Sequence, residues 1–157
     1  MAEKLELEFE PETGAGPLDA DYVNEEEEMI GWEFPPEFLE FLKKQNGGVP
    51  KKKYFPLGEN TKVLERFLCL DADYEESKFG DYDIGVVWSD ILDRLNDYLV
   101  PFAAVFAGDF LCFDYEDEES ETVRVVLWNH DLSEDDEPHT TPVADGFEAF
   151  LKMLSDE

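Results

Sequence analysis

Three apolar runs follow one another between Pro101 and Asn129, and they constrain the fold more than any other feature of the chain. They are PFAAVFA (101–107), DFLCFDY (109–115) and TVRVVLWN (122–129). Apolar residues, aromatic or aliphatic, make up most of each run, as in buried strands. Gly108-Asp109 makes a tight turn between the first two runs. EDEESE joins the second to the third as a solvated hairpin tip. Strands that succeed one another in this way pair antiparallel.

Helical patterns flank this block. In FPPEFLEFLKKQNGG (34–48), Phe34, Phe38, Phe41 and Leu42 fall on one stripe at i, i+4, i+7 and i+8. Pro35 and Pro36 suit the first turn, where a missing N–H matters little. Lys43 and Lys44 meet the negative end of the helix, and Asn46-Gly47-Gly48 is expected to stop it with a left-handed cap. VPKKKYFPLGEN follows as a basic loop with a short strand at Tyr54-Phe55. VLERFLCLD (63–71) reads as a buried strand and DADYEESKFGDYDI (71–84) as an acidic, aromatic loop. A helix from Ser89 to Leu99 would place Trp88, Leu92, Leu95 and Leu99 on one side, and Pro101 would end it. At the other end, Asp145 with Glu148 forms a capping box for a closing helix whose stripe is Phe147, Phe150, Leu151 and Leu154. Helices at the flanks and consecutive strands between them predict an α+β fold with a largely antiparallel sheet flanked by helices. Residues 1–28 are expected to form an acidic N-terminal extension, either an edge strand (Lys4 to Glu10 alternates) or a flexible arm. Residues 29–157 form a single domain.

The hydrophobic share is 43% and the chain has 13 Phe, enough to fill a core. No apolar run approaches the ~20 residues of a membrane helix. The N-terminus is acidic and has no apolar signal core, so a cytoplasmic location is expected. Cys69 and Cys112 lie in apolar runs without metal-site spacing, as buried small hydrophobes do.

Charge is the strongest functional signal. The net charge is −29, and it is unevenly spread. Residues 1–42 sum to −13, residues 43–66 to +5 and residues 67–157 to −21. Such a field repels nucleic acid and anionic membranes and attracts basic proteins.

No catalytic signature stands out, and no cofactor site is expected. There is no G-x-S-x-G and no glycine-rich phosphate loop. Asp109, Asp114, His130 and Asp131 can be read as a metal or acid–base cluster, but turn and strand-end carboxylates more often satisfy local backbone donors. The loop beginning at Asp71 has alternate carboxylates. A calcium loop of the EF-hand type needs glycine sixth and glutamate twelfth, and those places hold Glu76 and Tyr82. Lys51, Lys52 and Lys53 form a local basic patch that pairs with the chain's own acids or stays solvated. The expected partner-binding residues are Asp71, Asp73, Tyr74, Glu75, Glu76, Asp81, Tyr82 and Asp83, where aromatic contact area sits among acids. Glu116, Asp117, Glu118 and Glu119 on the hairpin tip form a second acidic candidate.

FPPEFLEFLKKQNGG, VPFAAVFAGDFLCFDY, VVLWNHD and VADGFEAFLKML occur in an order that resembles the SMI1/KNR4 family, the SUKH superfamily of immunity proteins. The resemblance spans residues 32–154, and the first 28 residues have no counterpart in it. It implies that Asn46, Gly47, Gly48, Gly108, Asp109, Asp114 and Trp128 are family-pattern positions with structural roles. It also implies function. Bacterial members bind and neutralise a cognate toxin, commonly a nuclease, and eukaryotic relatives act as interaction modules. The expectation is a non-enzymatic immunity-type protein whose partner is a basic toxin domain, a nuclease, with a regulatory scaffold module as the alternative. Monomer and homodimer both remain open.

Overall fold

A computed structural model describes residues 8–95, 98–106, 108–116, 123–129 and 139–155. Six strands form one sheet in sequence order: β1 Tyr54–Leu57, β2 Asn60–Phe67, β3 Leu99–Val105, β4 Phe110–Asp114, β5 Arg124–Trp128 and β6 Thr140–Ala144. Every neighbouring pair is antiparallel. Four α-helices accompany it: α1 Ala20–Ile30, α2 Pro36–Lys44, α3 Ile84–Ile91 and α4 Phe147–Met153. The α+β architecture follows from the pattern of the chain. β3 is buried at all seven residues, so its continuous apolar run is covered on both faces.

Alternation along the strands sorts the core into two faces. On one face Phe102 and Phe113 stack at 4.3 Å between ring centroids, and Phe38 of α2 and Phe147 of α4 meet them edge-on. On the other, the Trp128 indole donates to the Arg94 carbonyl at 3.1 Å, in a short 3-10 turn (Leu92–Arg94) that follows α3. Edge-to-face rings of this kind contribute about 0.5–1.5 kcal/mol per pair beyond their burial.

Several elements differ from the sequence reading, each for a local reason. The helix expected at Ser89–Leu99 instead spans Ile84–Ile91. Asp83 caps it by accepting from the Val86 N–H at 3.1 Å, and Ser89 lies inside it. Leu99 begins β3. The closing helix takes Gly146 rather than Asp145 as its N-cap, and no side chain caps it. The strand expected at 63–71 runs from Asn60 to Phe67. Beyond it, Leu68–Leu70 bond to the Phe102 carbonyl, the Tyr82 carbonyl and the Asn46 side chain, not to one neighbouring strand.

Asn46-Gly47-Gly48 does not cap α2 in the expected way. Gln45 ends the helix in extended conformation, and its N–H reaches the Phe41 carbonyl. The two glycines lie just beyond, at φ 79° and 127°. Gly48 pairs with Phe67, and a Cβ on Gly47 would sit 2.9 Å from the Cβ of Cys69. Here glycine permits close backbone approach to the end of β2.

Helix α1 has no counterpart in the sequence reading. Asp19 caps it, Gly31 closes it, and Val23 and Ile30 enter the core. Residue 28, where the extension was expected to end, lies inside this helix. Ahead of it, Phe9 bridges Pro50 antiparallel and packs on Phe41 and Phe67. Residues 1–7 lie outside the described residues.

Candidate interaction surface

Loop 71–83 is built on a tied base. The Asn46 amide donates to the Leu70 and Gly16 carbonyls, both at 2.9 Å, and its oxygen accepts from the Leu70 N–H at 3.0 Å. Next along the chain, the Asp71 N–H donates to Asp83 Oδ1 at 2.9 Å, while Asp71 Oδ1 accepts from the Asp73 N–H. Cys69 and Asp83 form a parallel bridge that closes the loop on itself. Turns at Asp73–Ser77 and Gly80–Tyr82 fill the interior of the loop.

With much of the backbone hydrogen-bonded from within, the side chains of Asp73, Tyr74, Glu75, Glu76, Asp81 and Tyr82 are exposed. Asp71 is half-buried. Tyr82 is only partly available, because its ring covers the Arg66 guanidinium at 3.9 Å. Arg66 is buried, with Nη2 donating to the Thr13 carbonyl and Nε lacking a partner. Burial pushes its pKa down.

Asp83 must be withdrawn from the expected contact set. It is fully buried and accepts from the Tyr22 hydroxyl at 3.0 Å, from the Asp71 N–H and from the Val86 N–H. Its role is to cap α3 and tie the loop to α1. Beside it lies Glu26 of α1, also buried, close enough to Tyr22 and Asp83 to interact with both. Burial pushes both carboxyls above the usual carboxylate range. The three donors to Asp83 offset part of that rise. Burial likewise raises the Tyr22 hydroxyl.

The second acidic candidate lies elsewhere. Glu116 is exposed just past β4, 3.8 Å from Arg124, and its N–H donates to Asp114 Oδ1. Asp117, Glu118 and Glu119 lie outside the described residues, as do His130 and Asp131. Asp114 itself is buried and accepts from Arg124 Nε at 3.0 Å and Nη2 at 2.6 Å. That arrangement makes it a structural ion pair across β4 and β5, where the two residues are register partners. Asp109 is buried at the turn from β3 to β4. Among the described residues no group of three or more His, Cys, Asp or Glu is placed to hold a metal ion. Both cysteines are buried and free, and burial raises the Cys69 thiol to about 12. Of the three lysines in the basic patch, Lys51 approaches Glu8 at 3.9 Å.

Sequence reasoning missed α1 and, with it, Tyr22, Glu26 and Met29. A signal was present. Asp19 is a capping residue, Tyr22 and Met29 stand seven apart beside Val23 and Ile30, and Gly31 ends the run. Four consecutive glutamates obscured that spacing.

No helix among the described residues is long and apolar enough to cross a membrane. The chain is similar to the SPbeta prophage-derived uncharacterized protein YokK of Bacillus subtilis (strain 168), 26% identical over an alignment covering 86% of this chain and 73% of that protein. A description of the SMI1 / KNR4 family (SUKH-1) matches residues 17–153, which takes in all four helices and all six strands. An antiparallel meander with an Asn-Gly-Gly close approach, a Gly-Asp turn and a strand ending in a buried tryptophan is therefore carried by a chain that belongs to the SMI1/KNR4 (SUKH-1) family.

Proposed function

We propose that the protein is an immunity-type binder that neutralises a cognate toxin domain of basic charge, a nuclease, by covering the groove meant for nucleic acid. It acts in the cytoplasm of the producing cell and performs no chemistry of its own. The observation that carries this reading is the loop 71–83. A backbone tied largely from within holds Asp73, Glu75, Glu76 and Asp81 in solvent around Tyr74, on a chain of net charge −29. Exposed carboxylates steer a basic partner to the surface, and aromatic area slows its departure. Family membership and a prophage-derived relative support the same reading.

The test is affinity capture with the full chain, followed by a nuclease assay on the captured protein with and without added binder. The expected result is a basic nuclease whose activity falls to background at a one-to-one ratio. Its association rate should fall about tenfold or more between 50 and 500 mM salt. A captured partner without toxic activity, or one whose association rate ignores salt, would overturn the reading in favour of a regulatory scaffold.

A further inference from the structure

A groove of about 300 Å³ runs between α1 and the start of α3, with Tyr74 of the acidic loop at its edge. We propose that this groove receives one cationic side chain, an arginine in preference to a lysine, from a basic protein partner. The inference rests on the reading of the partner given above and names where on the chain that partner is anchored.

The floor of the groove is formed by Glu26 and Asp83, which are 6% and 0% exposed. Neither is ion-paired to a lysine or arginine among the described residues. Helix capping accounts for Asp83. It does not account for Glu26, whose polar neighbours are the Tyr22 hydroxyl, itself donating to Asp83, and Asp83. A buried carboxyl beside another acid is unfavourable unless it serves a purpose, and perturbed acids in a cleft mark sites. The backbone also makes room for it. Any side chain at position 85 would run into the Glu26 carboxylate, with Cδ 2.8 Å from a Cβ there. Gly85 thus lets the acid sit against the first turn of α3.

The walls suit an arm that is apolar along its length and charged at its tip. Met29 and Tyr74 line the groove and are 50% and 39% exposed, two of the few large apolar groups left in water among the described residues. Val86 and Tyr22 continue the apolar lining inward, and the exposed Glu25 stands at the rim. An arginine stem can lie along Met29 and Val86 while its planar head meets the tyrosine rings and the carboxyl floor. Carboxylate and cation attract far more strongly in such a recess than across open solvent.

The experiment is an NMR titration of the ¹⁵N-labelled full chain with N-acetyl-arginine amide, N-acetyl-lysine amide and N-acetyl-norleucine amide. The arginine probe should give saturable shifts confined to residues 22–29, 74 and 83–89. The lysine probe should bind more weakly and the norleucine probe not at all. Glu26→Gln should weaken the arginine probe about tenfold. Met29→Ala, at a half-exposed position that leaves the fold intact, should weaken it about threefold. Shifts that never saturate, that scatter over loop 71–83, or that survive both substitutions would overturn the proposal. The two readings fail separately. A basic partner that binds wild type and Met29→Ala equally would remove the groove and leave the partner reading standing. A failure to capture any basic partner would remove that reading, while the arginine titration would still decide the groove.

Discussion

Replacing Asn46 by alanine should loosen the base of the acidic loop, and its magnitude can be worked from three hydrogen bonds. The Asn46 side chain joins the Gly16 carbonyl, the Leu70 carbonyl and the Leu70 N–H. Asn46 and Leu70 are buried, whereas Gly16 is exposed. Water replaces the lost donor at Gly16, so that bond contributes about 0.5 kcal/mol. At Leu70 a buried N–H and a buried carbonyl lose their partner together. Each orphaned group costs about 1–3 kcal/mol, so the sum lies near 4 kcal/mol. For a domain of this size that is a fall of about 10 °C in Tm. The assay is urea unfolding followed by tryptophan fluorescence, with the midpoint expected to drop and the slope to stay constant. Asn46→Asp should be at least as harmful, because it keeps the acceptor, removes the donor and buries a charge. A loss below about 1 kcal/mol for Asn46→Ala would refute the reasoning, since it would mean that Leu70 finds other partners at no expense.

Other tests address the ion pair, the loop and the buried acids. Arg124→Ala should destabilise by about 2 kcal/mol and Asp114→Asn by about 1, because Asp114 is buried and Arg124 is half-exposed, so only the arginine rehydrates freely; urea unfolding of both variants showing the reverse order would sink this account. Tyr82→Ala uncovers Arg66 and should lower stability by about 1 kcal/mol while raising proteolytic nicking within 71–83, measured by limited trypsin digestion at Lys78. Burial raises the Glu26 carboxyl, so above the ordinary carboxylate pKa the native chain holds a proton that the unfolded chain has released. Stability therefore falls as pH rises through that window, and Glu26→Gln should flatten the fall when urea midpoints are compared from pH 4.5 to 7.5. A parallel pair of curves would contradict it.

The fold was legible wherever one pattern had no rival. The runs at 101–107 and 109–115 are short, apolar and aromatic and are joined by a Gly-Asp turn, and they became β3 and β4. Phe38 and Leu42 lie on a stripe that only a helix explains. The errors arose where two patterns overlapped. Trp88, Leu92, Leu95 and Leu99 have helical spacing, but so do Ile84, Val87 and Ile91. The second set prevailed because Asp83 supplies a cap and β3 claims Leu99. β6 was hidden because TTPVA carries a proline, which weakens a strand pattern; β6 tolerates it at the sheet edge, while central β3 takes Pro101 beside a register shift. The exposed acids of the loop were legible from composition. Asp83 was not separable from them, because its burial depends on Tyr22, sixty-one residues away in the chain.

The distribution of acid explains how so anionic a chain keeps a compact fold. Self-repulsion at −29 opposes compaction, and the fold limits it by placing most described carboxylates on loops and on outward faces of helices, where water screens them. Four described acids are buried; Asp109 lies at the turn from β3 to β4, and the other three depart from that rule in different ways. Asp114 is neutralised by Arg124 across two strands, and Asp83 is held by three donors at a helix start. Glu26 has neither arrangement, and it lines the groove beside Asp83. The buried cation Arg66 is no remedy, since its ring contacts are to Tyr82 and Phe79. A fold that pairs Asp114 and caps α3 with Asp83 leaves Glu26 beside an open recess, which is where the proposed arginine would enter.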